Sequence, residues 1–108
     1  MVQVTEYVDA QGRRPFGRWF DRLDSQAATR ITAALDRIGR GILSNVKRVG
    51  AGVLEYRIDS GPGYRIYFGR DGETLIVLLG GGTKRRQQRD IDTAKRLWRD
   101  YRRRRKEE

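Results

Sequence analysis

The sequence predicts an α+β domain with the element order β-α-α-β-β-β-α and a mostly antiparallel, four-stranded sheet packed against its helices. Three observations carry that reading. Two segments with helical apolar spacing occupy 15–38, three strand-like runs separated by turn residues occupy 53–79, and a third helical pattern follows at 91–101. The chain has 108 residues, which fits one domain. That domain is expected over 1–101, with 102–108 as a charged tail that frays.

Val2, Val4 and Tyr7 alternate with polar residues, so 2–8 reads as a short strand. Pro15 suits a first helical position. Phe16, Trp19, Phe20 and Leu23 then recur at one-turn spacing, a compact amphipathic helix. Asp24-Ser25 can cap a second helix, whose apolar face is Ala28, Ile31, Leu35 and Ile38. Gly39 and Gly41 end it. Residues 42–52 read as a loop carrying Lys47 and Arg48. Val53–Asp59 and Tyr64–Phe68 alternate around a Ser60-Gly61-Pro62-Gly63 turn, and Asp71-Gly72 marks a second hairpin. Leu75–Leu79 is continuously apolar, as in a strand buried on both faces. Gly80-Gly81-Gly82 breaks the strand and reads either as a bend that lets the chain pass close to the sheet edge or, equally, as a plain flexible connection. Ile91, Ala94, Leu97, Trp98 and Tyr101 mark the buried face of the last helix.

Composition narrows the chemistry. There is no Cys and no His, which removes disulfides, thiolate metal sites, cysteine nucleophiles and every imidazole base. Catalysis here has to use Arg, Lys, Tyr, Asp or Glu, and no metal site or cofactor is expected. No apolar run approaches the ~20 residues of a membrane span, and the N-terminus lacks a signal-peptide core. The expectation is a cytoplasmic protein that does not engage a membrane. The net charge is +10, and it is uneven: residues 84–108 hold 12 basic and 5 acidic residues. Such a surplus points to a polyanionic partner, most often nucleic acid.

The 53–68 hairpin sets side chains on faces. Leu54, Tyr56 and Ile58 share one side with Tyr64, Ile66 and Phe68, which leaves Glu55, Arg57, Arg65 and Tyr67 together on the other. The expected register opposes Arg57 to Arg65 and Glu55 to Tyr67; a two-residue slip would oppose Arg57 to Tyr67. This polar face is expected to be open to solvent. A solvated sheet face with a cross-strand ion pair accounts for such residues. Two opposed guanidiniums repel, however, and that arrangement suits clamping a phosphate. Lys84, Arg85, Arg86 and Arg89 follow the glycines; they are either solvated or an extension of a basic groove. The Gly-rich segment lacks the spacing of a nucleotide-cradling loop.

These pieces in their order resemble the RelE/ParE superfamily of toxins, in particular its HigB-like, phage-derived "addiction module killer protein" branch. The resemblance rests on Phe16-x-x-Trp19, Leu54-Glu55-Tyr56-Arg57-Ile58, Gly61 to Phe68, Leu78 to Lys84, and Gln87/Gln88-x-Asp90-Ile91-x-x-Ala94 leading to Trp98. It implies a RelE-like, microbial-RNase-like fold and the toxin of a type II toxin–antitoxin system. RelE and HigB types cleave mRNA on the ribosome. They are neutralised by a cognate antitoxin, here a helix-turn-helix, HigA-like protein through which alone operator DNA would be bound. ParE types share the fold but poison DNA gyrase, and a non-toxic basic nucleic-acid-binding domain is a third alternative. The His of several relatives has no counterpart here.

Metal-independent RNA cleavage needs a base for the 2′-hydroxyl, positive charge on the phosphorane and an acid for the 5′-oxygen. The expected catalytic set is Glu55 as base, Arg65 and Arg57 on the phosphorane, Tyr67 as hydrogen-bond donor, base-stacking group or acid, and Lys84 as acid or phosphate contact. Lys47, Arg48, Arg85, Arg86 and Arg89 are the expected nucleic-acid-binding residues.

Overall fold

A computed structural model describes residues 2–107. Its elements are β1 (Gln3–Glu6), α1 (Pro15–Asp21), α2 (Ser25–Gly39), β2 (Val46–Gly50), β3 (Val53–Ile58), β4 (Tyr64–Asp71), β5 (Leu75–Gly82), a 3-10 turn (Lys84–Arg86) and α3 (Gln87–Glu107). The α+β class holds, but the sheet has five strands rather than four, in the order β1-β5-β4-β3-β2. Only the β1–β5 pair is parallel.

The extra strand, β2, lies inside the segment read as a loop. It pairs with β3 alone, so it is an edge. Edge strands need no apolar alternation, and charged side chains on them discourage further pairing. Lys47 and Arg48 are exposed while Val46 and Val49 are half-buried. A two-residue turn then joins β2 to β3, with Ala51 and Gly52 at φ of 55° and 83°. Those angles are those of the turn whose twist matches a hairpin.

Local chemistry sets the first helices as expected. Pro15 stands in the first turn of α1, and the Asp24 carboxylate accepts from Ala27 N–H to cap α2. Ala27, Ile31, Ala34 and Ile38 are the buried face of α2; Ala28 and Leu35, predicted on that face, are half-buried at its margin. Leu23 lies beyond the end of α1 yet still packs on the core.

The sheet is covered on both sides. On one, Phe16, Ile31 and Ile38 from α1 and α2 meet Tyr56, Ile66, Phe68, Ile76 and Leu78. On the other, Ile91, Ala94 and Trp98 from α3 meet Val53, Tyr67, Val77 and Leu79, with Tyr7 beside them. Leu75–Leu79 is thus sandwiched between two layers, as its unbroken apolar run predicts. The second layer corrects the expectation of an open polar face, because α3 lies on it. Its helix also continues through the expected tail to Glu107.

The three glycines do not break the chain. β5 runs through them to Gly82, with Gly81 paired to Ile66 and Gly82 to Arg65. Their smallness is used for close approach. A Cβ on Gly81 would fall within the Trp19 ring of α1, and one on Gly82 would collide with the Asp90 carboxylate of α3. Bare backbone at these two points lets both layers close on the sheet.

Gly81→Ala should therefore destabilise the protein by about 2–3 kcal/mol, since Trp19 must leave its place on β5. Urea unfolding of the two chains checks this, with near-identical midpoints as the contrary result.

Candidate functional site

The predicted hairpin register is the observed one. Arg57 opposes Arg65 and Glu55 opposes Tyr67. Arg65 and Tyr67 therefore share Glu55's side of the sheet, beneath the first turn of α3.

Glu55 is fully buried. Its Oε2 accepts from Gln87 Nε2 at 2.9 Å and lies 4.0 Å from Arg65 Nε. Its Oε1 is 3.8 Å from Lys47 Nζ and has no hydrogen-bond donor. Arg65 is only 4% exposed; one end of its guanidinium donates to the Gly63 carbonyl, and its Nε is unpartnered. The Tyr67 hydroxyl is likewise buried without a partner. Buried polar groups are normally satisfied, so three buried polar atoms without a well-formed hydrogen bond in one place single this cluster out. Leaving such groups unpaired costs about 1–3 kcal/mol each.

This cluster communicates with solvent through a small cleft of about 210 Å³ bordered by Lys47, Glu55, Arg57 and Asp59. Lys47 and Arg57 are more than half exposed there, and Arg57 Nε pairs with Asp59 at 3.1 Å. Lys84 stands nearby on the 3-10 turn. Gly63 is the point both cations approach: a Cβ there would meet the Arg65 guanidinium at 2.8 Å and Lys84 Cβ at 3.3 Å. Lys47, Glu55, Arg57, Arg65, Tyr67 and Lys84 thus converge on one end of the sheet. Arg85, Arg86 and Arg89 are exposed around the start of α3. Arg48 is elsewhere, beside the β2–β3 turn at the border of a separate cavity that Trp98 also lines.

One expectation changes. Tyr67 is 1% exposed and packs in the core under α3, so its ring offers no face for a base. Burial, reinforced by the Glu55 charge, pushes its hydroxyl far above the ordinary tyrosine range. Tyr67 is therefore a neutral phenol here.

Two residues escaped the sequence reading of the polar face, because both come from α3. Gln87 holds the Glu55 carboxylate. Asp90 lies over Gly82, and its carboxyl is raised by burial against the opposing pull of Arg86 and Arg89. The signal for Asp90 was Gly82 itself, whose missing side chain makes room for it.

The chain is a small, strongly basic α+β domain with a buried Arg65–Glu55 pair, Lys47 beside it, and no His. Residues 18–99 match the phage derived protein Gp49-like family (DUF891), and the chain belongs to that family. The family falls within the RelE-like group of addiction-module killer proteins. An uncharacterized protein of Haemophilus influenzae (strain ATCC 51907 / DSM 11121 / KW20 / Rd) is 39% identical over 83 residues, spanning 76% of this chain and 84% of the relative.

Asp90 carries a pH prediction. Its folded pKa lies above the ordinary value of 3.8, so the folded state holds the proton more tightly and ionisation at neutral pH weakens the fold. Asp90→Asn should be the more stable chain at pH 7. The gain should fade as pH falls through the raised pKa and vanish below about 3.8, where both chains are neutral. Thermal unfolding across pH reads the difference; a pH-independent gap would contradict the burial effect.

Proposed function

We propose that this chain is the toxin of a type II toxin–antitoxin pair, HigB-like in kind, and that it cleaves mRNA on the ribosome without a metal. The observation that carries the proposal is Glu55: a buried carboxylate with one oxygen that accepts no hydrogen bond, flanked by Lys47 and Arg65 and reached through the cleft of Arg57. Family membership supports the toxin class.

In this reading the Glu55 Oε1 takes the proton of the 2′-hydroxyl. Oxygen then attacks phosphorus, and the bond to the 5′-oxygen breaks to leave a 2′,3′-cyclic phosphate. Arg65, fixed by Gly63 and Glu55, and Arg57 at the mouth hold the phosphorane charge; preorganised donors of this kind supply roughly 3 kcal/mol each. Tyr67 donates a hydrogen bond. Asp90 fits the proton donor to the leaving oxygen, since burial keeps more of it protonated than an exposed aspartate. Lys84 adds a phosphate contact from Gly63's other side. Arg85, Arg86 and Arg89 bind ribosomal RNA backbone.

The partner in this reading is a helix-turn-helix antitoxin. It would place an acidic segment against Arg57, Lys84 and the start of α3, with the +10 charge speeding association. Operator DNA is bound through the antitoxin alone, and the setting is the cytoplasm. Among the described residues no helix is long and apolar enough to cross a membrane.

Glu55→Gln keeps the size of the side chain and an oxygen for Gln87, so it should fold and lose at least ~10²-fold in cleavage. Arg65→Ala is the poorer test, because it strands a buried carboxylate at a cost of about 3–5 kcal/mol. New mRNA ends on ribosomes after induction are the expected readout. A folded, fully toxic Glu55→Gln protein, or DNA breaks at gyrase sites with no new mRNA ends, would overturn the assignment.

Cleavage should also survive EDTA when the ribosome's magnesium is kept in place. Lys47 and Arg65 beside Glu55 repel a cation from the one buried carboxylate. Activity lost on stripping transition metals and restored by zinc or manganese would contradict this mechanism.

A further inference from the structure

A larger cavity, about 870 Å³, lies between the β2–β3 turn, the β4–β5 turn and the last turns of α3. Trp98, on its wall, stands eleven residues along α3 from Gln87, about 16 Å of helix axis from the Glu55 cleft. Nothing in the cleavage scheme uses this region.

Its walls combine two features. The first is a fixed aromatic pair. Tyr101 stacks on Trp98 with ring centroids 5.1 Å apart and planes 5° from parallel. The Tyr101 hydroxyl donates to Asp71 Oδ2 at 2.7 Å, which locks the ring in place. The second is charge. Arg48, Arg70, Arg102, Arg105 and Lys106 border the cavity against a single carboxylate, Asp71. Asp71 is already engaged by Tyr101 and by Arg105 at 2.8 Å. The side chains of Arg48, Arg102 and Lys106 have no ion-pair or hydrogen-bond partner among the described residues.

We propose that this cavity is a second nucleic-acid site that takes one nucleotide of a single strand, its base against Tyr101 and its flanking phosphates on Arg48, Arg102 and Lys106. A pocket of several hundred Å³ is large enough for a nucleotide. A rigid ring beside unpaired cations is how single strands are held without regard to sequence, since every base has a π-face and every linkage a charge. Duplex fits poorly, because its bases are already stacked. An acidic peptide would satisfy the cations but leave the aromatic wall unused. The site does not depend on the nuclease reading, and none of its residues borders the Glu55 cleft.

The probe is a short 2′-O-methyl oligoadenylate, which has no 2′-hydroxyl and so reports binding without cleavage. The strand should shift the backbone amide resonances of the Gly50–Val53 and Asp71–Gly72 turns and of Tyr101–Lys106. An abasic strand of equal length should bind ~5-fold or more weakly and leave Tyr101 unmoved. Arg48→Glu with Arg102→Glu, both at exposed positions, should weaken binding at least tenfold and flatten the slope of log affinity against log salt by about 1.4. Equal binding of base-containing and abasic strands would remove the base from the proposal and overturn it. So would shifts confined to the Lys47–Glu55–Arg57 cleft, an unchanged affinity in the double variant, or polyglutamate matching the strand in affinity and shifts. Oligodeoxyadenylate and the RNA strand, compared side by side, tell which nucleic acid is preferred.

Discussion

Trp98 lies flat on glycine backbone. A Cβ at Gly69 would stand 2.6 Å from its ring, and one at Gly52 2.8 Å from its indole nitrogen. That contact seats the middle of α3 on the sheet, and most of the molecule follows from it. Losing a buried ring of this size costs about 3–5 kcal/mol in a typical core, a large fraction of a small domain's stability. With Trp98 seated, Ile91 and Ala94 reach Val77 and Leu79 toward the N-terminal end of α3, and Gln87 is delivered to Glu55. Tyr101 is delivered to Asp71 at the other end. Tyr7, just past β1, donates to Asp100, and Arg104 lies over the Tyr7 ring 5.3 Å from its centroid. One helix thus fixes the candidate cleft, the second cavity and the edge strand β1.

The same seating explains an unfavourable feature. Burying Glu55, Arg65 and Tyr67 under α3 takes charge and hydroxyl out of water, and the internal contacts do not repay it fully. Arg65 and Glu55 approach only to 4.0 Å, and three polar atoms stay unpartnered. An apolar replacement of such a cluster is often neutral or stabilising. A fold selected for stability alone would carry apolar side chains at these strand positions. On the proposed reading, the retained charge serves an anionic ligand, because the field of Arg65 is stronger where water is excluded.

How far the sequence revealed this depended on whether each signal was local. The Arg57–Arg65 and Glu55–Tyr67 pairs were legible because a short Gly-Pro-Gly turn and strict alternation fix register. The Asp24 cap and Pro15 were legible for the same reason: each acts within one helical turn. β2 was not, since an edge strand of Val-Lys-Arg-Val-Gly shows no alternation and its pairing comes from β3. The burial of the polar face was not legible either. The strand pattern gives which residues share a face but not what lies above it. The glycines of 80–82 read as a break because a missing side chain looks the same whether the chain bends or another residue takes the space. Only with Trp19 and Asp90 in position does the second meaning emerge. Asp90 itself was hidden because a carboxylate near the start of a helix is ordinarily a surface group that favours the helix dipole.

The surplus of positive charge acquires a direction once the internal pairs are accounted for. Carboxylates are spent where they hold the fold: Glu6 on Arg14 and the Gly17 amide, Asp9 on Arg13, Asp71 on Tyr101 and Arg105, Asp100 on Tyr7, Arg103 and Arg104. Their bonds to tyrosine hydroxyls hold Asp71 and Asp100 below the usual carboxylate range, so both stay ionised at any physiological pH. What remains unpaired concentrates on the 3-10 turn and α3, at Arg85, Arg86, Arg102 and Lys106, with Arg48 across from them. The carboxylates thus balance Arg103, Arg104 and Arg105 on α3 and leave Arg102 and Lys106 without a counter-charge. On the proposed reading, a polyanion meets these cations from the Trp98–Tyr101 end of α3 to its start beside the buried carboxylate.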